Sequence, residues 1–142
     1  MFKFFKKQNV FDDKKKQIFI DAISEMLEVQ LIVVGNRSIE DGQGKVNRQA
    51  IGYIYGFIDA ALSTIGQDMS DISLGVPITF HVLKRLFPDR GEKYLQYLLD
   101  NIRTDEVVLF GSVTGGQQYI DFAKSKLSTP MGLARFIIEG TN

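Results

Sequence analysis

The chain has 142 residues, of which 44% are hydrophobic and 24% charged, and its formal net charge is zero. This length suits one domain with a sizeable core. A nucleic-acid-binding protein usually carries a basic face, so the neutral balance leads us to expect no nucleic-acid partner. The chain contains no cysteine, which excludes disulfides, thiolate metal sites and cysteine nucleophiles. We expect a cytoplasmic protein.

The N-terminal end carries a local excess of positive charge, because residues 1–16 contain six lysines and only two aspartates. We interpret residues 1–11 as an N-terminal arm and residues 12–142 as a single helical domain. The arm mixes aromatic and basic side chains, namely Phe2, Lys3, Phe4, Phe5, Lys6 and Lys7. Such an arm either packs on its own domain or on a second copy, or makes weak contact with an anionic membrane surface through residues 1–16.

The first helix is predicted to run from Asp12 or Asp13, either of which can cap its N-terminus, to about Val34. Apolar side chains recur at helical spacing along this stretch, and acidic side chains occupy the opposite face. Gly35 is a natural end for the helix. The glycine-rich segment 35–45 has the composition of a connecting loop.

The stretch from Asn47 to Gly66 is predicted to be the central helix, because it is apolar on most sides and such a helix is buried. Its helical wheel separates a stripe of large apolar side chains from a narrow stripe of small and polar ones. The large stripe is Ile51, Ile54, Tyr55, Ile58, Leu62 and Ile65. The narrow stripe is Gly52, Gly56, Asp59 and Ser63. We expect the other helices to pack around this one.

The second half of the chain contains further helix signals in succession. A helix is predicted after Asp71 or Ser73, with Pro77 in its first turn, and a short amphipathic helix follows it. Thr104 is expected to cap the next element, and Pro130 is expected to occupy the first position of the last helix.

Residues 105–116 are compatible with two structures, either the start of a helix or a strand followed by a glycine-rich loop. We favour a single helix over residues 105–127, because no other strand is predicted with which a strand here could pair. Its three glycines cost about 1 kcal/mol each relative to alanine. The predicted fold is therefore all-α, a single-domain bundle of five or six helices around the helix at about 47–66.

Signals for catalysis or metal binding are weak. His81 is the only histidine, which excludes a histidine-rich metal site. The glycine-rich segment 111–116 lacks the lysine that follows the last glycine of a phosphate-binding loop. The acidic pair Glu40 and Asp41 lacks the alternating oxygen ligands of a calcium loop. We predict no catalytic residue, no metal site and no cofactor.

The narrow stripe of the central helix is the most informative feature. Small residues four apart, as at Gly52 and Gly56, let two helix backbones approach closely, although the space they free can also hold an apolar ligand. A buried carboxylate at Asp59 needs a partner or takes up a proton. We expect that partner to be a tyrosine hydroxyl or an arginine. The candidate arginines are Arg85, Arg103 and Arg135.

These patterns favour a small, non-enzymatic protein-binding or adaptor domain that forms a homodimer through helix faces. The candidate interface combines the narrow stripe with a group of tyrosines, because aromatic residues are favoured at interfaces. Those tyrosines are Tyr53, Tyr94, Tyr97 and Tyr119. One alternative is a small-molecule-binding protein or enzyme with a pocket beside Gly52, Gly56 and Asp59. A second is peripheral membrane association through residues 1–16.

Overall fold

The computed structural model describes residues 10–35 and 38–140, and this part of the chain contains six α-helices and no strand longer than a single bridge. The predicted all-α bundle of five or six helices is confirmed. The helices are α1 (Asp13–Val34), α2 (Arg48–Thr64), α3 (Ile72–Leu86), α4 (Gly91–Asn101), α5 (Glu106–Ala123) and α6 (Gly132–Glu139).

Side-chain caps explain where four of the helices begin. The caps of α1, α2, α3 and α5 are Asp12, Asn47, Asp71 and Asp105, and each accepts a backbone N–H of the first turn. The prediction of Thr104 as a cap is wrong, because the neighbouring Asp105 carboxylate accepts the N–H groups of Val107 and Val108. Pro77 lies inside α3 and not in its first turn.

The last helix begins later than predicted, at Gly132 and not at Pro130. Helix α6 has no cap from its own N-cap residue, Met131. Its first N–H groups donate instead to glutamine side chains of α1 and α5. This tertiary contact, which has no local sequence signal, sets the start of the helix. The ambiguous segment 105–116 is helical, as favoured, and forms most of α5.

Helix α2 is the central element, as predicted. It packs against α1, α4, α5 and α6, and its most extensive contact is with α5. The contacts between α2 and α5 advance in the same direction along both helices, from Gly52 beside Val108 to Gly56 beside Ser112. The two helices are therefore parallel. Because parallel neighbours need a crossover connection, α3 and α4 span the distance between the end of α2 and the start of α5.

The loop between α1 and α2 is folded over residues 38–47. Glu40 and Val46 form an isolated antiparallel bridge, and the Asp41 carboxylate accepts two N–H groups within the turn. Ile39 and Val46 are buried in the core. The segment predicted to be a connector is thus a compact turn anchored by two apolar side chains.

The predicted N-terminal arm lies mostly outside the described residues, which begin at Val10. At its end, the Phe11 ring packs edge-on against the Phe19 ring of α1, with 6.1 Å between ring centroids. Among the helices that the structure describes, none combines the length and the apolarity that a membrane crossing requires.

Candidate functional site

Helices α2 and α5 touch through their backbones. A Cβ atom added to Gly52 would overlap the carbonyl oxygen of Val108, and one added to Gly56 would overlap that of Ser112. The relation is reciprocal, because Gly111 and Gly115 of α5 lie in the same way against carbonyl oxygens of α2. These four positions admit only glycine at the observed helix separation. The glycine spacing is therefore used for close packing, the first of the two uses predicted for it.

A cleft opens on the surface where this contact ends. Its volume is about 510 Å³. At the cleft, Gly116 of α5 faces Ala60 of α2. A Cβ atom added to Gly116 would lie 3.8 Å from the Ala60 Cβ. The lining residues are Gly56, Asp59, Ala60, Ser63, Thr64, Ser112, Val113, Gly116, Gln117 and Ile120. Three of the four predicted narrow-stripe residues thus line the cleft, whereas Gly52 is sealed inside the helix contact.

Asp59 is partly buried in the wall of this cleft. Burial raises the pKa of its carboxyl group, and the nearby Asp68 carboxylate raises it further. Of the three arginines expected as partners, Arg85 pairs with acids of α1 and Arg135 pairs with Glu139. Among the described residues, no hydrogen bond or ion pair to the Asp59 carboxylate is formed. The prediction of an arginine or tyrosine partner is therefore wrong.

The outward face of α5 exposes several large apolar side chains and carries no charge over most of its length. Leu109, Phe110 and Val113 are exposed, and Val113 retains 72% of its accessible surface. No residue from Val107 to Ile120 carries a charge. The buried residues of α5 are Val108, Gly111 and Gly115, which face α2, so its large apolar side chains on the opposite side stay exposed. This face adjoins one wall of the cleft. Val113 and Ile120 of α5 are among the residues that line the cleft.

The four tyrosines predicted as one interface surface do not form one. Tyr53 and Tyr94 are fully buried, the first beside α6 and the second beside the loop between α1 and α2. Tyr97 and Tyr119 are partly buried in the core, and the Tyr119 ring contacts Phe57 edge-on. Their rings contribute to internal packing, since Tyr53 and Tyr119 both contact Phe57 and Tyr94 packs against Phe87.

A buried polar network that the sequence analysis missed connects α1, α2, α5 and α6. Gln30 is fully buried; its Nε2 donates to the Tyr53 hydroxyl at 3.2 Å, and that hydroxyl donates to Gln118 Oε1 at 2.6 Å. The two glutamine oxygens then accept the N–H groups of Gly132 and Leu133. Burial raises the pKa of Tyr53 to about 12, so the hydroxyl stays a neutral donor.

A second polar cluster fixes the loop between α1 and α2. The Glu40 side chain is only 8% exposed and accepts hydrogen bonds from Lys93 Nζ and the Tyr94 hydroxyl, both at 2.6 Å. Arg90 Nε lies 3.4 Å away. The hydrogen bond from Lys93, followed by that from Tyr94, holds the pKa of Glu40 below its ordinary value. The cluster closes one side of an open cleft of about 660 Å³.

The Glu40 cluster predicts a pH-dependent stability difference between the protein and its Glu40→Gln variant. A carboxyl group with a depressed folded pKa stabilises above its unfolded pKa, near 4.5, and this stabilisation is lost as pH falls through the folded pKa. We expect Glu40→Gln to lower the free energy of unfolding at neutral pH. The difference should shrink in denaturant titrations repeated from about pH 7 to about pH 3. Since the other acids titrate in both proteins, a difference that stayed constant across this range would contradict the assignment.

No protein-family model, curated protein or solved structure matches the chain. Within the described part of the chain, no three histidine, cysteine, aspartate or glutamate residues come together as a group able to hold a metal ion. Function must therefore be inferred from the surfaces described above.

Proposed function

We propose that the chain is a small cytoplasmic, non-enzymatic protein-binding domain that forms a homodimer through the outward face of α5. The observation that carries this proposal is the exposure of Leu109, Phe110 and Val113 on a helix without charge from Val107 to Ile120. Apolar surface left in contact with water is unfavourable, and contiguous apolar patches on soluble proteins commonly mark interaction sites.

The shape of this face supports a second copy as the partner. A two-fold contact uses the same surface of both copies, so this surface must be complementary to itself. A side chain that protrudes from one copy must fit a depression in the same surface of the other. On α5 the exposed Val113 side chain lies one turn from Gly116, which has no side chain and borders the cleft. Two copies can therefore exchange Val113 side chains across the axis, each into the cleft of the other.

The charge distribution supports the same partner. A charged partner segment would bury its charges against an uncharged surface without compensation, which is costly. A second α5 presents the same uncharged face, so a symmetric contact centred on it buries no charge of either α5. Asp59 lies on the far wall of the cleft, on α2.

A small-molecule ligand in the cleft is the second candidate function. Its specific support is the partly buried Asp59 carboxylate, which has no partner among the described residues and faces a cleft that also contains hydroxyl groups. The closed backbone contact at Gly52 removes part of the space that this alternative requires. Self-association uses the cleft and the apolar face together, and we favour it for that reason.

The dimer proposal predicts that Val113→Glu produces a monomer. Two-fold symmetry brings the two introduced charges close together at an apolar centre, and such like-charge contacts cost several kcal/mol. We expect sedimentation equilibrium to show a dimer for the wild-type protein, and association weakened by about 100-fold or more, or abolished, in the variant. The thermal unfolding midpoint under dilute conditions should change little, because Val113 is exposed in the single chain.

Ile72→Glu is the matched control for this experiment. Ile72 is 71% exposed, almost the same as Val113, but it begins α3, which has no extensive contact with α5. It should leave the dimer intact. A wild-type protein that remains monomeric at high micromolar concentration would refute self-association, as would an equal effect of the two substitutions.

A further inference from the structure

We propose that the N-terminal end of the folded body docks on an anionic lipid bilayer, together with the arm that precedes it. The docking surface is an apolar patch formed by Val10, Ile18, Ala22 and Ile65, which we call the N-terminal patch. None of its residues belongs to α5 or lines the cleft between α2 and α5. The inference goes beyond self-association and does not depend on it.

The N-terminal patch is an exposed apolar surface on the folded part of the chain. Val10, Ile18 and Ile65 are between 48% and 60% exposed, and Ala22 lies one helical turn after Ile18 on α1. Together with Phe11 and Phe19 these residues line an open cleft of about 390 Å³. Val10 is the first residue that the structure describes, and residues 1–9 precede it directly in the sequence.

The charges at this end match an anionic surface. Lys15 lines the cleft and Lys14 precedes it on α1, while Lys3, Lys6 and Lys7 lie in the arm. Residues 1–16 contain two acids, and two more, Asp21 and Asp68, adjoin residues that line the cleft; Asp21 is paired with Arg85. Asp12 is engaged in capping α1 and Asp13 lies 4.0 Å from Lys16. Residues 1–16 keep an excess of four positive charges, and the remainder of the chain carries an equal negative excess. An anionic surface therefore attracts this end and repels the rest.

A bilayer fits this combination better than a protein groove does. Aromatic side chains partition into the headgroup region, and lysines are attracted to anionic lipids. The arm supplies both through Phe2, Phe4 and Phe5 and the lysines beside them. A single weak anchor gives only marginal, reversible binding, and stable attachment needs a second signal. The N-terminal patch provides that second signal on a rigid part of the protein.

Flotation of the full-length protein with vesicles tests the proposal. We expect binding to vesicles of phosphatidylcholine with phosphatidylserine, and little binding to phosphatidylcholine alone. Ile18→Glu and Ile65→Glu should each weaken binding about tenfold or more, because a charge then replaces an apolar contact. Replacing Lys3, Lys6 and Lys7 together by glutamine should weaken it on the order of 100-fold, since each lysine contributes to the attraction.

Leu99→Glu is the matched control, because Leu99 is 50% exposed but lies on α4. It should leave vesicle binding unchanged. The proposal is overturned if the wild-type protein does not float with phosphatidylserine vesicles, or if Ile18→Glu and Ile65→Glu bind as well as Leu99→Glu. If the wild type does not bind vesicles, the thermal midpoint of Ile18→Glu gives the reason. A midpoint below that of the wild type would show that the patch is covered within the chain.

Discussion

Gly115→Ala is expected to lower the free energy of unfolding by about 3 kcal/mol, at the upper end of the range for overpacked cores. The added methyl group would overlap the carbonyl oxygen of Tyr53, and the next nearest atoms also belong to the α2 backbone. A side chain could rotate out of the way, but a helix carbonyl is held by its own hydrogen bond. The two helices must therefore separate along their contact. Alanine recovers only about 1 kcal/mol through its higher helix propensity.

The neighbouring glycine provides the control for this prediction. A Cβ on Gly116 would lie 3.4 Å from the Gly56 carbonyl oxygen and 3.8 Å from the Ala60 Cβ, which are ordinary contact distances. At protein concentrations low enough to keep the chain monomeric, Gly116→Ala should therefore keep or raise the stability, since only the propensity gain remains. Thermal unfolding of the two variants measures the difference, which we expect to be about 10 °C in midpoint. Similar midpoints for the two variants would show that the backbone contact is looser than described.

The sequence predicted this contact in part, and the missing part has a physical reason. Glycines four residues apart on two helices indicate close backbone approach, and both α2 and α5 carry that pattern. Helical spacing identifies a face but contains no information about which other helix covers it. The direct, parallel pairing of α2 with α5 depends on the crossover through α3 and α4, which only the structure shows.

The same limit explains the outcome for the candidate site residues. Asp59 is polar on a helix that is apolar on most sides, so its partly buried position could be predicted from the sequence. Residue type alone suggests arginine partners for Asp59, but the fold pairs Arg85 with Asp21 and Arg135 with Glu139. The exposed side of α5 could not be predicted either, because an apolar helix carries no sequence mark for the side left uncovered.

Gln30 is the clearest omission, and the sequence contains a signal for it. Gln30 follows Ile23 by seven residues and Leu27 by three, which puts it on the apolar face of α1. A polar residue on such a face is either at the edge of the core or hydrogen-bonded within it. Its partners are Tyr53, Leu133 and Ala134. Since these are distant along the chain, the network itself was not predictable.

Gln30→Leu is the second large effect we expect, with a loss of about 3 kcal/mol in the free energy of unfolding. The substitution removes the only side-chain acceptor described for the Leu133 N–H group and the donor to the Tyr53 hydroxyl. Each buried group left without a partner costs about 1–3 kcal/mol. The gain from burying leucine offsets part of this loss. Helix α6 has no cap of its own, so its first turn should be the part that loosens.

Hydrogen exchange at individual amides separates this mechanism from general destabilisation. In Gln30→Leu, the Leu133 and Ala134 amides should exchange much faster, while amides in the middle of α2 change only as far as global stability falls. Gln17→Leu is the control, because Gln17 lies on the same helix but is exposed, with its amide bonded only to Asp21. That variant should keep both stability and the α6 exchange pattern. If Gln30→Leu left exchange at Leu133 and Ala134 unchanged relative to α2, then α6 would not depend on Gln30, and the polar network would have no role in positioning the last helix.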